Sequence, residues 1–269
     1  MKIGQIGFGF VGGALHRSLL KKKIDTVIYD KYQKIGSIDD LLDTEVIFMC
    51  LPTPFVEGHG FDLSAINENL KQLQKLNYEG LIVIKSTVEP GITSMLSAQF
   101  DKLTLCHNPE FLTARSADED FHNQTHMVFG HVKGDAKSEG STLKLGEFFK
   151  SKYPSAQLSI CNSEESETMK LFCNNFYAIK VQIFNEFYFL CQKRGIDFDE
   201  VKGMMLKNEW INPMHTNVPG PDGQPSYGGA CFPKDTNALN HFMRTAGSPN
   251  QILDACIKER DSMRDHKLK

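Results

Sequence analysis

The sequence predicts an α/β chain: a Rossmann-like doubly wound parallel sheet followed by an all-helical domain with one long central helix. Three features carry that expectation. Over the first 160 residues, short apolar runs alternate with amphipathic stretches, the pattern of repeated βαβ units. A glycine-rich run, Gly7-Phe8-Gly9-Phe10-Val11-Gly12, separates the first apolar run from the first amphipathic one. Past Asn162 the pattern changes to an unbroken helical period that lasts to Arg194.

Strands are expected near 2–6, 26–30, 46–50, 81–85, 103–107, 126–130 and 157–161. They are rich in Ile, Val and Leu and do not alternate with polar residues, as strands covered by helices on both faces require. Helices are expected between them, near 11–22, 63–76, 92–100 and 140–151. Asn162 and Glu165 read as an N-cap with its reciprocal acid, starting a helix over 163–194 that Gly195 stops. On that helix Met169, Phe172, Phe176, Ile179, Ile183, Phe187 and Leu190 mark one face, and Cys173, Tyr177, Phe184, Tyr188 and Cys191 mark a second apolar stripe. Two stripes need cover on two sides. Either the same domain or a second subunit supplies it, and a homodimer through the 163–194 helix is the expectation. A loop rich in Gly, Pro and Asn fills 209–230, with helical stretches near 235–246 and 249–266. The expected domains are 1–161 and 162–269.

Composition narrows the function. Thirty Lys+Arg against 33 Asp+Glu give a formal charge of −3, which advertises no surface for nucleic acid. Hydrophobic residues at 41% and charged residues at 23% are those of a soluble globular protein. The seven cysteines are odd in number and scattered, with no CxxC pair, which argues against a disulfide framework or zinc site and for a reducing compartment. The nine histidines form no HExxH, so no metal is expected. No apolar run approaches the roughly 18 residues of a membrane span. The apolar start is cut by Gly4, Gly7 and Gly9 and reads as strand and turn, not as a signal peptide. A cytoplasmic location is expected, with no membrane partner.

The glycine run has the context that gives it meaning: it follows the strand Lys2–Ile6 and opens a helix at Val11. Gly7 allows the tight turn, Gly9 lets a dinucleotide pyrophosphate approach the backbone, and Gly12 brings helix close to strand. Phe10 and Val11 begin the helix whose free N–H groups meet the phosphates. Asp30, 18 residues past Gly12, stands where an acid accepts from ribose hydroxyls and repels a 2′-phosphate. NAD is therefore expected over NADP, with Lys31 weakening the discrimination.

Cys231 follows two glycines, with Lys234 and Asp235 three and four residues on. A thiolate nucleophile needs positive charge nearby. Lys170 and Asn174, four apart on a helix, share a face and suit an oxyanion. With these residues in view, the chain resembles the UDP-glucose dehydrogenases of the UDP-glucose/GDP-mannose dehydrogenase family. Gly228-Gly229-Ala230-Cys231-Phe232-Pro233-Lys234-Asp235 is similar to that family's GGxCFPKD signature. Asn108-Pro109-Glu110-Phe111-Leu112 is similar to its substrate loop, and Glu167-x-x-Lys170-Leu171-x-x-Asn174 to its catalytic helix. Lys85-Ser86-Thr87-Val88 and Pro52-Thr53-Pro54 are similar to its cofactor-side loops.

The resemblance implies a four-electron oxidation of a sugar C6 alcohol to a carboxylate, UDP-glucose to UDP-glucuronate, with two hydrides passed to NAD. Cys231 would form a thiohemiacetal and then a thioester. Lys170 and Asn174 would steady the oxyanion, Asp235 with water and Thr87 would handle protons, and Glu110 would assist hydrolysis. Pro52, Thr53, Ser86, Thr87 and Lys234 fall on the cofactor side. Glu110, Phe111, Leu112, Lys170, Asn174, Tyr227, Gly228 and Gly229 fall on the UDP-sugar side.

The sequence departs from the pattern in four places. Ala114 stands where the family usually has a second acid. Residues 208–230 contain no Arg or Lys where the family has an arginine, leaving His215 and Asn217 there. Tyr227 replaces a usual phenylalanine. The chain ends at Lys269, so a short form lacking the C-terminal UDP-binding domain is expected, with a separate chain as one way to supply it. Two other readings stay open: a single-step β-hydroxyacid dehydrogenase, which needs no cysteine, and a catalytically silent NAD-binding protein. Which sugar nucleotide is oxidised also stays open.

Overall fold

The structure is a computed structural model describing residues 1–113 and 115–265. In chain order the elements are β1 (Ile3–Ile6), α1 (Phe10–Lys21), β2 (Thr26–Tyr29), β3 (Val46–Met49), β4 (Phe55–Val56), β5 (Gly60–Phe61), α2 (Ser64–Lys75), β6 (Leu81–Ile84), α3 (Ile92–Gln99), β7 (Thr104–His107), α4 (Ala117–His122), β8 (His126–His131), α5 (Ala136–Lys152), β9 (Gln157–Asn162), α6 (Ser163–Arg194), α7 (Phe198–Leu206), α8 (Phe232–Thr245) and α9 (Gln251–Asp265). Two compact units result: Met1–Pro54 with Phe61–Lys170, and Phe55–Gly60 with Leu171–Lys269. The division within α6 falls after Lys170.

The first unit is a Rossmann-like sheet of order β2-β1-β3-β6-β7-β8-β9. Its two faces carry separate cores, as doubly wound strands demand. Ala14, Leu15 and Leu19 of α1 and Leu145 and Phe149 of α5 cover Ile3, Phe48 and Val83 on one face. Ile66, Leu70 and Leu73 of α2 and Leu96 of α3 cover Ile47, Ile82 and Leu105 on the other. Each fully buried Leu, Ile, Val or Phe among them contributes about 1.5–3 kcal/mol.

The sheet is not parallel throughout. β7 and β8 pair antiparallel, Cys106 opposite His131 and His107 opposite Gly130, whereas β8 and β9 are parallel. Among the described residues between β7 and β8 the one helix is α4, about 9 Å long at 1.5 Å per residue. Arg17 holds it against α1 through two 2.6 Å bonds to Asp118. No crossover helix returns the chain to the opposite end of the sheet, so β8 runs the other way.

The sequence expectation places α5 four residues late; Asp135 starts it by accepting from the N–H groups of Lys137 and Ser138. It also omits α4, α7, β4 and β5, all short, although Asp197 caps α7 through the N–H groups of Asp199 and Glu200. Helix α8 starts at Phe232 rather than near 235, because Pro233 fits a first turn whose N–H needs no partner.

In the second unit, Phe184 and Cys191 of α6 are buried with Phe198, and Ala178 is buried with Tyr227 and Cys256. Phe172, Phe176, Ile183, Phe187 and Leu190 stay exposed, Phe176 at 65%. One of the two apolar stripes is thus covered within the chain and the other is not. Among the described residues no helix is long and apolar enough to cross a membrane.

Glu167, fully buried in the first unit, crowns α3. Its carboxylate accepts from Gly91 N at 2.6 Å and Thr93 N at 2.7 Å, filling the place of a side-chain cap that Gly91 cannot provide. Burial pushes its pKa up to about 7, against the opposing bonds from Thr93 and Gly91. A carboxyl raised above its unfolded value near 4.3 holds its proton more tightly when folded. Its contribution to stability is therefore full at low pH and is lost as pH rises through about 7. Urea unfolding at pH 5 and pH 8 should show the natural chain losing about 2–3 kcal/mol more than Glu167→Gln, which cannot ionise. Parallel pH profiles for the two would refute this.

Candidate active site

The glycine run lies at the carboxyl end of β1, where the strand order reverses between β1 and β3, the usual ligand crevice of open α/β sheets. Gly7 has φ +90°, and a Cβ there would lie 2.4 Å from Cys50 O. At Gly12 a Cβ would lie 2.2 Å from Gly7 O. At Gly9, the N-cap of α1, a Cβ would meet nothing within 4 Å, and no side chain caps the helix. Two glycines are thus demanded by packing, while Gly9 leaves open space beside uncapped N–H groups at Phe10 and Val11. That combination fits a dinucleotide pyrophosphate.

Asp30 accepts from Phe8 N at 2.7 Å, Tyr32 N at 2.9 Å and Gln33 N at 2.8 Å. Burial alone would raise its carboxyl, but the N–H groups of Gln33, Phe8 and Tyr32 and the Gln33 amide hold it below the ordinary aspartate range. It therefore stands ionised beside the glycine turn. Lys31 reaches Glu68 at 2.7 Å, so the cation next to Asp30 has a carboxylate partner already. The two loops expected on the cofactor side are joined to each other: Thr53 Oγ1 donates to Thr87 O at 2.7 Å, following Pro52, and Ser86 Oγ donates to Leu51 O at 2.6 Å.

At the end of β7 the loop Asn108–Leu112 meets Lys170, which is 4% exposed. Lys170 Nζ donates to Glu110 O at 2.5 Å and lies 3.4 Å from Glu110 Oε1. It also sits 5.2 Å from the centre of the Phe111 ring. Glu110 Oε2 accepts from Leu112 N at 2.6 Å. The loop is held by a buried ammonium and by its own carboxylate. Ala114 lies outside the described residues.

The second unit holds the other cluster. Cys231, half-buried, is the N-cap residue of α8, and a helix N-terminus favours a thiolate. Asp235, fully buried in the first turn of α8, accepts from Asn174 Nδ2 at 2.6 Å and from Lys234 Nζ at 2.5 Å. Its N–H donates to Cys231 O at 3.0 Å, which fixes the cysteine's backbone to the acid's. Gly229 has φ +77°, and a Cβ at Gly228 would lie 2.5 Å from Asp222 Oδ2. Tyr227 is 2% exposed, so its ring belongs to the core.

Two arginines escape the sequence reading. Arg260 Nε donates to Tyr227 O at 3.2 Å, and Arg264 donates to Ser226 O at 3.1 Å and Asp222 Oδ2 at 2.9 Å. The 208–230 loop, without a cation of its own, receives two from α9. Their only sequence signal is the four-residue spacing that puts them on one face. Within the loop, the His215 ring is wedged between those of Tyr177 and Phe232, centroids 5.0 and 5.5 Å away. Asn217 Oδ1 accepts from Lys202 at 3.0 Å. Among the described residues no cluster of His, Cys, Asp and Glu suits a metal ion.

Residues 36–145 match the NAD binding domain of the UDP-glucose/GDP-mannose dehydrogenase family, and residues 164–260 match the central domain of the same family. The UDP-glucose 6-dehydrogenase of Rickettsia bellii is 31% identical over 238 residues, 86% of this chain and 53% of that protein. The chain spans about half the length of the curated relatives it matches. A UDP-glucose dehydrogenase from Pyrobaculum islandicum superposes with a TM-score of 0.85 at 22% identity, over 98% of this chain and 69% of that one. The 3-hydroxyisobutyrate dehydrogenase of Mycobacterium tuberculosis superposes with a TM-score of 0.76 at 15% identity, over 98% and 94%. Both superpositions speak to the fold.

The glycine geometry separates binding from folding. Gly9→Ala should leave the melting temperature unchanged while weakening NAD about tenfold or more in a calorimetric titration. Gly12→Ala should destabilise the fold by about 1–3 kcal/mol through the clash with Gly7 O. Natural NAD affinity in Gly9→Ala would remove the glycine turn from the cofactor site.

Proposed function

Because the chain belongs to the UDP-glucose/GDP-mannose dehydrogenase family, we propose that it carries out the NAD-dependent oxidation of UDP-glucose to UDP-glucuronate through a thiohemiacetal and a thioester on Cys231. The observation that supports this most is the first turn of α8, where Cys231 holds the N-cap and the buried Asp235 binds both Asn174 and Lys234. A single-step dehydrogenase needs no such cysteine.

NAD at the glycine turn would supply the hydride acceptor, one molecule for each of the two oxidations. In the first, C6 loses a hydride and its hydroxyl loses a proton, leaving an aldehyde. Cys231 Sγ then bonds to C6 as its S–H bond breaks, and the carbonyl oxygen takes up that proton. Loss of a second hydride and of that proton leaves the thioester. Water adds to the carbonyl carbon, the C–S bond breaks, and carboxylate, thiol and one proton are released. Asp235, with water and Thr87, relays the protons. It keeps acceptor capacity beyond its two side-chain donors, since a carboxylate offers about four lone-pair sites. Lys170 and Asn174 donate to the oxygen on C6 as negative charge develops there. Glu110 assists hydrolysis, and Phe111, Leu112, Gly228 and Gly229 offer backbone groups to the UDP-sugar. A reducing compartment such as the cytoplasm suits a thiol nucleophile.

The active form in this reading is a homodimer whose second copy covers Phe172, Phe176, Ile183, Phe187 and Leu190 of α6. Their 4-7-4-3 spacing makes a continuous apolar seam, the kind two helices bury against each other. Light scattering at micromolar concentration should give twice the chain mass, and Phe176→Asp with Phe187→Asp should give the monomer. A monomer in the natural protein would overturn the dimer.

The reaction is tested by counting NADH formed per UDP-glucose consumed: two supports it, one supports a single-step dehydrogenase, and none removes the activity. Cys231→Ser should permit the first hydride transfer yet lower carboxylate formation by orders of magnitude, with NAD binding unchanged. Natural rates of carboxylate formation in Cys231→Ser or Cys231→Ala would end the thioester mechanism.

A further inference from the structure

We infer that Lys85, a buried cation with no part in the roles above, is a positioning residue for Glu110: it anchors Asn108, the point where the Asn108–Leu112 loop leaves the sheet. Lys85 immediately follows β6 and is 4% exposed. Its Nζ donates to Asn108 Oδ1 at 2.8 Å and lies 3.3 Å from Asn108 O. It also lies 5.5 Å from the centre of the Phe121 ring and 6.0 Å from that of Phe48. Taking an ammonium out of water costs several kcal/mol, and a purely structural filler at this position would be aliphatic.

Asn108 is gripped from every side. Its N–H donates to Ile84 O at 2.9 Å and its Nδ2 to Val128 O at 2.7 Å, while its two oxygens face Lys85. Two residues on, Lys170 holds Glu110 by its main-chain oxygen. Two lysines thus hold one loop, Lys85 at its root and Lys170 at its acid. Burial pushes Lys85 toward its neutral form, and Cys50 and the Glu110 carboxylate act against that. Asn108 supplies the direct acceptors, so removing the donor at position 85 frees the root of the loop that carries Glu110.

The consequence rests on the thioester reading of Cys231. In hydrolysis, the water oxygen bonds to the acyl carbon and the C–S bond breaks with its electron pair on sulfur. One water proton goes to the sulfur and the other to Glu110 and then solvent. A displaced Glu110 slows this step and leaves the earlier oxidations largely intact. A misplacement of about 1 Å can cost about 100-fold in rate.

In the 269-residue chain, Lys85→Met should bind NAD within about twofold of the natural protein and release carboxylate about 100-fold more slowly. During turnover, intact-protein mass spectrometry should then find an acyl adduct on Cys231. Lys85→Gln, which keeps a donor for Asn108 without the charge, should recover much of the rate and lose the adduct. It also carries the test should Lys85→Met fail to fold. Natural turnover in Lys85→Met, or slowing without an adduct, would overturn the inference. Hydrogen exchange at the amides of Glu110 to Thr113 separates this from failure of the thioester reading, because it needs no turnover. Those amides should exchange at least about tenfold faster in Lys85→Met, and unchanged exchange would remove the positioning role even if the natural enzyme proved silent.

Discussion

A parallel sheet must be buried on both faces, and much of the first unit follows from that requirement. β1, β3, β6 and β7 run parallel, so the loops that follow these four strands emerge at the same carboxyl edge. The segments assigned to the cofactor and sugar sides of this unit sit there: Gly7–Gly12 after β1, Pro52 and Thr53 after β3, Ser86 and Thr87 after β6, and Asn108–Leu112 after β7. Segments far apart in sequence are gathered by strand order alone. Gly7 shows how tight the gathering is, since any side chain there would strike Cys50 O at the end of β3.

Both clusters are built from buried charge. In the first unit the Lys170 ammonium holds a main-chain oxygen and a carboxylate of the same residue, Glu110. In the second, the Asp235 carboxylate is shared by Asn174 and Lys234. Neither arrangement is an efficient way to stabilise a fold, because desolvation offsets most of the attraction and an apolar replacement often does as well. What buried pairing does supply is orientation: rotamers locked before any ligand arrives. Glu167 marks the contrast. It belongs to the same motif as Lys170 but is occupied with the N-terminus of α3, a task of the fold.

Fold and chemistry are separable here. A hydroxyisobutyrate dehydrogenase and a UDP-glucose dehydrogenase both superpose on nearly the whole chain, so architecture does not choose between one oxidation and two. In the proposed reading the choice rests on few and local residues: Cys231 at the head of α8 and Asp235 one turn on.

The sequence by itself determined what depends on local physics. Residues 163–194 are legible as one helix because their apolar period is long, Glu165 reaches back to Asn162 N at 2.9 Å, and Gly195 adopts φ +65° to end it. The glycine turn is legible because Gly7, Gly9 and Gly12 serve backbone approach, which spacing encodes. A six-residue element such as α4 escapes, having too few residues to show a period. Only the tertiary structure decided that β8 runs against β7, since strand direction depends on the path of the connection and not on the strand's own residues. It alone decided that the Tyr227 ring is core, that one stripe of α6 is covered and the other open, and that Arg260 and Arg264 serve a loop more than thirty residues before them. Such pairings join side chains with no local pattern in common; they exist only once packing brings distant segments within hydrogen-bond reach.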